Sequence, residues 1–274
     1  MNVLCVGDVI GKAGSAFFAA VLPGLKQEYA VDFVIANGEN SDNSGLGITQ
    51  ANADFLLEYA DVITTGNHCY DRAGEELYTK NPRVLHPANY PYTEDAAGCV
   101  TVDTGLGTIT VFNLQGLVNM KPLNSPFDRA DALLSAHPAD FTIVDFHAES
   151  TMEKKALAFY LDGRVSAVFG THTHVQTADE QILPKGSGYI GDAGMTGPAY
   201  SVIGIEVEPA VWRQRTHAPG PLPAASGPCM LNAVLFRLDD KTGLCNQAVR
   251  LIRKAGGFTD KHEISGNRFP AGAR

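Results

Sequence analysis

The residues able to do chemistry in this 274-residue chain recur at one kind of place. Asp8 follows the apolar run at 3–6, Glu39 and Asn40 follow 33–36, and Asn67 and His68 follow 62–65. His147 closes the run at 141–146, and His172 with His174 closes 165–169. Taken singly, an Asp after a strand is a turn residue or helix cap, and a lone His is a surface or hydrogen-bonded core residue. Five such coincidences imply a shared site, because loops converge beyond the carboxyl ends of strands in α/β sheets. The donors agree among themselves: carboxylates, carboxamides and imidazoles without a thiolate suit a divalent ion of intermediate hardness such as Mn, Fe, Zn or Co. They are too many for one ion and right for two, with Glu39 the long, central candidate for a bridge. Such a pair holds a bridging hydroxide as nucleophile, binds a phosphoryl oxygen and clamps an in-line displacement. His68, beside the ligand candidate Asn67, is then free to protonate the leaving oxygen as general acid. The His172–His174 spacing predicts both rings on one side of an extended segment.

The elements that must position these side chains alternate in type. Strands are predicted at 3–6, 33–36, 62–65, 108–113, 141–146, 165–169, 188–190, 203–207 and 232–238. Helices are predicted at 16–26, from an N-cap at Thr49 through 57, at 128–136 and at 153–160. Gly7, Gly11 and Gly14 match neither dinucleotide nor P-loop spacing and read as a tight strand-to-helix turn. The alternation predicts an α/β fold with parallel pairing early and antiparallel pairing later. One domain over 1–255 is expected, followed by a poorly ordered tail at 256–274.

Composition narrows the function. Hydrophobic residues make up 45% and charged residues 19% of the chain, a globular composition. The net charge of −9 argues against a general nucleic-acid backbone binder, so RNA is less favoured as a partner than a small diester. Five scattered cysteines without a C-x-x-C pair, no basic leader and no membrane-length apolar run predict a soluble, cytoplasmic protein without membrane association. A homo-oligomer is left open, with the Pro-rich 209–228 region as a contact candidate.

The stretches GDVIG, NGEN, GNH, DFHAE and GTHTH, extended by LHPANYP, FNLQG, ILPKG and DAGMTGP, resemble the bacterial YmdB-type branch of the calcineurin-like metallophosphoesterases. The likeness runs from about residue 1 to 207, and loosely through the strand near 232. It implies a β-sandwich of two mixed sheets flanked by helices, with two metals at the loop ends. It also implies hydrolysis of phosphodiesters, including 2′,3′- and 3′,5′-cyclic nucleotides. Carried over, Asp8, Asn40 and His174 bind one ion, Asn67, His147 and His172 the other, with Glu39 bridging and His68 as catalytic acid. One departure from the broader superfamily stands out. The usual D-x-H motif reads Asp8-Val9-Ile10, so an imidazole is missing, and Asn40 is the residue that can fill its place. A carboxamide there shifts preference toward Mn or Fe, with Zn or Mg as alternatives.

Around the site, Asp145 and Glu149 are candidates to orient His147, Thr171 and Thr173 to orient the loop, and Asp192 to act peripherally. His86 is placed either in the pocket or in a structural hydrogen bond, and His137, His217 and His262 in solvent. Cys69 lacks a separate base and is not read as a nucleophile. An amidohydrolase also uses H-x-H, but there the pair closes the first strand of a barrel, whereas here it comes late. The remaining alternative is a metal- or nucleotide-binding regulator acting through partners. Against it stands His68, since binding alone needs no general acid.

Overall fold

The computed structural model describes residues 1–91 and 98–256. In chain order the elements begin with β1 (Asn2–Val6), β2 (Asp8–Val9), α1 (Gly11–Glu28), β3 (Phe33–Asn37), α2 (Gln50–Leu57), β4 (Val62–Thr64) and α3 (Glu75–Lys80). Next come β5 (Cys99–Asp103), β6 (Thr108–Gln115), α4 (Pro126–Ala136), β7 (Phe141–His147), α5 (Thr151–Leu161) and β8 (Ala167–Thr171). The last third adds β9 (Gln181–Ile182), β10 (Gly188–Ile190), β11 (Met195–Pro198), α6 (Val207–Thr216), β12 (Cys229–Leu238) and β13 (Cys245–Lys254).

Two mixed sheets result. In the first, β1 pairs parallel with β3 and β3 with β4, while β12 runs antiparallel to β1, β11 and β13. In the second, β6, β7, β8 and β10 are parallel, with β5 and β9 antiparallel at the edges. Early parallel and late antiparallel pairing are both as expected.

Three apolar layers hold these parts in the order helix, sheet, sheet, helix. Val3, Cys5, Phe33 and Ile35 of the first sheet meet Val111, Phe141, Ile143 and Phe169 of the second. The alternate residues Leu4, Val6, Val34 and Ala36 face outward onto Phe18, Leu22 and Leu25 of α1 and Leu56 of α2. On the far side, Phe112, Val144 and Phe146 pack on Leu133 of α4 and Leu157 and Leu161 of α5. Each sheet is therefore apolar on both faces, which is why its strands read as continuous apolar runs. Thr49 caps α2 by accepting from the Asn52 amide, and Ser125 and Ser150 cap α4 and α5 in the same way.

Several expectations need correction. The strand expected at 203–207 is a turn closed by Val202 and Ile205, and α6 begins at Val207. Ile203 and Ile205 belong instead to the wall of a cleft. The first helix starts at Gly11, inside the stretch read as a turn, and Gly14 lies within it packed on the β11 backbone, where a Cβ would lie 2.3 Å from the Thr196 carbonyl oxygen. β5, β11 and β13 carry no strong sequence signal, and β13 is half exposed along its length, so its alternation is diluted by polar residues. The expected tail falls almost wholly outside the described residues. Among the described residues no helix is long and apolar enough to cross a membrane.

Candidate metal site and cleft

The parallel strands of both sheets deliver their carboxyl ends to one place. Asp8 arrives just beyond β1, Glu39 and Asn40 beyond β3, Asn67 and His68 beyond β4, His147 at the end of β7, and His172 and His174 beyond β8. All eight sequence candidates are connected there by short contacts. His147 Nε2 lies 3.1 Å from Glu39 Oε1, 3.0 Å from Asn67 Oδ1 and 3.1 Å from His172 Nδ1. Asn40 Nδ2 bridges Glu39 Oε1 at 3.3 Å and His174 Nε2 at 3.2 Å. Asp8 Oδ2 accepts the His172 amide at 3.2 Å, and its Oδ1 lies 3.7 Å from His174 Nε2. Glu39 Oε2 accepts the His68 amide at 3.1 Å, so Glu39 stands between the two groups.

The surroundings fix which ring nitrogens face inward. Thr171 Oγ1 donates its one proton to Asp145 Oδ1 at 2.7 Å, so at 2.9 Å it can only accept from His147 Nδ1–H. His147 Nε2 therefore carries a lone pair into the cluster. Likewise His174 Nδ1–H donates to the Ile203 carbonyl at 2.8 Å, leaving Nε2 as the inward acceptor. The Glu149 carboxylate sits 3.1 Å from His172 Nε2, which turns the Nδ1 lone pair inward. Glu149 thus serves His172, not His147, whereas Asp145 reaches His147 through Thr171. Asp145 Oδ2 is in turn held by the Thr64 hydroxyl and by Asn37 Nδ2 at 3.2 Å. Gly66 is required by this packing, since a Cβ there would lie 2.2 Å from the His147 ring.

His172 and His174 do not lie on an extended segment. Their φ values are +102° and +61°, a left-handed turn. Asp192 holds that turn, taking the Thr173 amide at 3.0 Å and the Thr173 hydroxyl at 2.8 Å, and the buried Lys154 ammonium reaches the same oxygen at 2.8 Å. Sequence reasoning missed Lys154, Asn37 and Thr64. A lysine on the buried face of α5 was the one available signal among them.

Three acceptors around one imidazole lone pair, together with the buried Asp8 Oδ1 and Asn40 Oδ1 that make no hydrogen bond, form a cage of lone pairs. Such a cage fits a cation, and Glu39, His147 and His172 have donor atoms within 4.8 Å of one another. A rotation of the Asn40 amide would bring its orphaned oxygen to the same face. In the cation-free molecule protons do this work. Burial disfavours a charge on His147, but Glu39 beside it raises the imidazolium to about 9. Burial likewise opposes ionised Glu39, yet His147 holds it down at about 2, so the two form an ion pair. Burial, then His147, pushes His172 down to about 3. Burial also lifts Asp145 to about 7 and raises Asp8.

His68 stands at the rim, its Nδ1 2.7 Å from Asp71 Oδ2. It borders a cleft of about 350 Å³ that also reaches Glu39, Asn40, Glu149, His172 and His174. His86 does not line the cleft. It is buried among Tyr70, Tyr78 and Tyr90, with Nδ1 on the Pro87 carbonyl at 2.9 Å, a structural role. Of the three histidines expected in solvent, His217 is exposed, His137 is half-buried and His262 lies outside the described residues. Cys69 is buried, and burial pushes its thiol to about 12, too high for a nucleophile.

The family model described as YmdB-like protein matches residues 4–251. A 2′,3′-cyclic-nucleotide 2′-phosphodiesterase of Bacillus subtilis strain 168 is 40% identical over 259 residues, covering 92% of this chain and 96% of that protein. The crystal structure of a hypothetical protein from Thermus thermophilus is similar with a TM-score of 0.86 at 38% identity, over 93% of this chain and 99% of that one. That of a novel phosphatase from Mycoplasma pneumoniae gives 0.85 at 32% identity, over 93% of each chain. Matched over residues 4–251 and 40% identical to the Bacillus subtilis relative, the chain belongs to the YmdB-like family.

Proposed function

We propose that this chain is a metal-dependent phosphoric diester hydrolase acting on small substrates, 2′,3′- or 3′,5′-cyclic nucleotides among them. The observation that carries the reading is the cage around His147 Nε2, with acceptors from three different chain segments at 3.0–3.1 Å. Asp8, Asn40 and His174 would hold one divalent cation and Asn67, His147 and His172 a second, with Glu39 shared. When bound, the cations supply Lewis-acid polarisation of the phosphoryl group and activation of water.

The chain's own residues do the rest. Thr171, Glu149 and the Ile203 carbonyl keep the three imidazoles in the tautomer that offers a lone pair inward. His68, whose amide is anchored on Glu39 and whose Nδ1 is held by Asp71, keeps Nε2 available to donate a proton to the leaving oxygen. The contact with Asp71 fixes the rotamer of the His68 ring. The carboxamide of Asn40, where an imidazole is usual, favours Mn or Fe over Zn.

The test is hydrolysis of 2′,3′-cyclic AMP by Mn-loaded protein, against chelator-treated protein and the His68→Ala variant. Turnover is expected only with metal, and His68→Ala should lower kcat by about 10²–10⁴-fold while binding the same amount of metal. Protein that holds two ions per chain yet turns over no diester would overturn the reading, and tight, stoichiometric Zn alone would overturn the metal preference.

A further inference from the structure

Away from the ligand cluster the cleft is aliphatic. Ile10, Leu46, Ile203, Ile205, Leu222 and Ala224 line it. They come from separate loops that are locked together. A Cβ on Gly204 would lie 2.8 Å from Ile10 Cγ2, and one on Gly45 would lie 3.0 Å from Ala224 Cβ, so glycine lets both pairs close. Two of these side chains remain markedly open to solvent beside the buried cluster, Leu46 at 42% and Ile203 at 45%. Ile203 is also held at φ +49°, a conformation that a β-branched residue avoids. The strained residue lines the cleft while its carbonyl fixes His174.

The polar side chains of this wall are already committed. Ser44 donates to Asp42 Oδ1 at 2.6 Å and accepts from Arg72 at 3.2 Å. Thr173 donates to Asp192 Oδ2 at 2.8 Å. The backbone amides of Gly45 and Gly204 are likewise bonded, to the Asp42 carbonyl and the Ser201 hydroxyl. A substrate group lying here meets apolar surface and few free donors or acceptors.

We propose that Leu46 and Ile203 form the seat of the nucleobase, a seat that grips the ring by apolar contact and does not read its edge. This deepens the phosphodiesterase reading and rests on it. The enzyme then selects the diester and the presence of a base, favours the larger purine ring, and treats adenine and guanine alike.

The experiment compares 2′,3′-cyclic AMP, GMP and CMP on Mn-loaded wild type, Leu46→Ala, Ile203→Ala and, as a control on the same loop, Tyr200→Ala. It also measures adenosine monophosphate affinity by calorimetry and inhibition by inorganic phosphate. Adenine and guanine substrates should differ by no more than about threefold in kcat/KM, and each seat variant should raise KM about five- to tenfold, more for purines, with kcat of Leu46→Ala within about twofold of wild type. Monophosphate affinity should weaken in parallel, while phosphate inhibition and the Tyr200→Ala kinetics stay unchanged. Ile203→Ala removes the β-branch but keeps a Cβ at positive φ, so circular dichroism is used to confirm its fold, and Leu46→Ala tests the seat without touching His174. Base discrimination above about twentyfold, or unchanged KM in both variants, overturns the seat. If wild type turns over no diester, the hydrolase reading fails by itself, and monophosphate affinity still decides the seat.

Discussion

Thr171→Val isolates the relay that orients His147. The two side chains have nearly the same shape, and Thr171 is fully buried, so no cavity opens. What is lost is one hydroxyl that accepts from His147 Nδ1–H at 2.9 Å and donates to Asp145 Oδ1 at 2.7 Å. Each buried group left unpaired costs about 1–3 kcal/mol. Asp145 keeps its bonds to Thr64 and Asn37 and can hold a proton, its acidity being already weakened to about 7 by burial, so most of the effect falls on His147. Its ring is then free to turn or change tautomer, and cation affinity should drop about 10–100-fold, equivalent to about 1.4–2.7 kcal/mol. Calorimetric titration of chelator-treated protein with Mn reads this directly, with circular dichroism confirming that the variant is folded. Thr171→Ser restores the hydroxyl and should bring affinity back to within about threefold of wild type. The reasoning is refuted if the Val variant binds Mn as tightly as wild type, or if the Ser variant is as impaired as the Val variant.

The pH dependence of metal-free protein follows from the same groups. The His147 imidazolium, raised from 6.5 to about 9 against Glu39, contributes stability that is complete below pH 6.5 and lost as pH rises through 9. Asp145, raised from 3.8 to about 7, adds a cost that grows between those values and is constant above them, so the fall of the metal-free unfolding midpoint from pH 7 to 9 is carried by His147. Cations bind only the deprotonated ligands, so the gap between Mn-loaded and metal-free midpoints should widen over the same range. A metal-free midpoint that rises with pH would contradict the assignment. Lys154→Met leaves the buried Asp192 without its cation, and breaking such a pair costs about 3–5 kcal/mol. In a chain of this size that lowers Tm by at least about 6 °C, and adding Asp192→Asn should recover part of it. A single-variant shift below about 2 °C would mean that the pair does not hold the His172–His174 turn.

The convergence of the eight candidate residues was legible in the sequence because each sits at or just beyond the end of a strand buried on both faces, where a continuous apolar run gives way abruptly to a polar side chain. The same burial made β1, β3, β4, β7 and β8 readable, and with them the early parallel pairing. β13 was not readable, because an edge strand half in water mixes its periodicity with polar residues. Nor was the wall at 203–205, where an apolar triplet looks like a strand until packing on Ile10 turns it back on itself. Only the tertiary structure decided which acceptor serves which imidazole. Glu149 is two residues from His147 yet bonds His172, and Thr171 reaches His147 from a neighbouring strand. Local sequence fixes which residues stand at a strand end and which alternate to the same face. Partners across a sheet or between sheets depend on register, on left-handed turns such as that of His172 and His174, and on long-range charges such as Lys154, none of which is encoded in spacing along the chain.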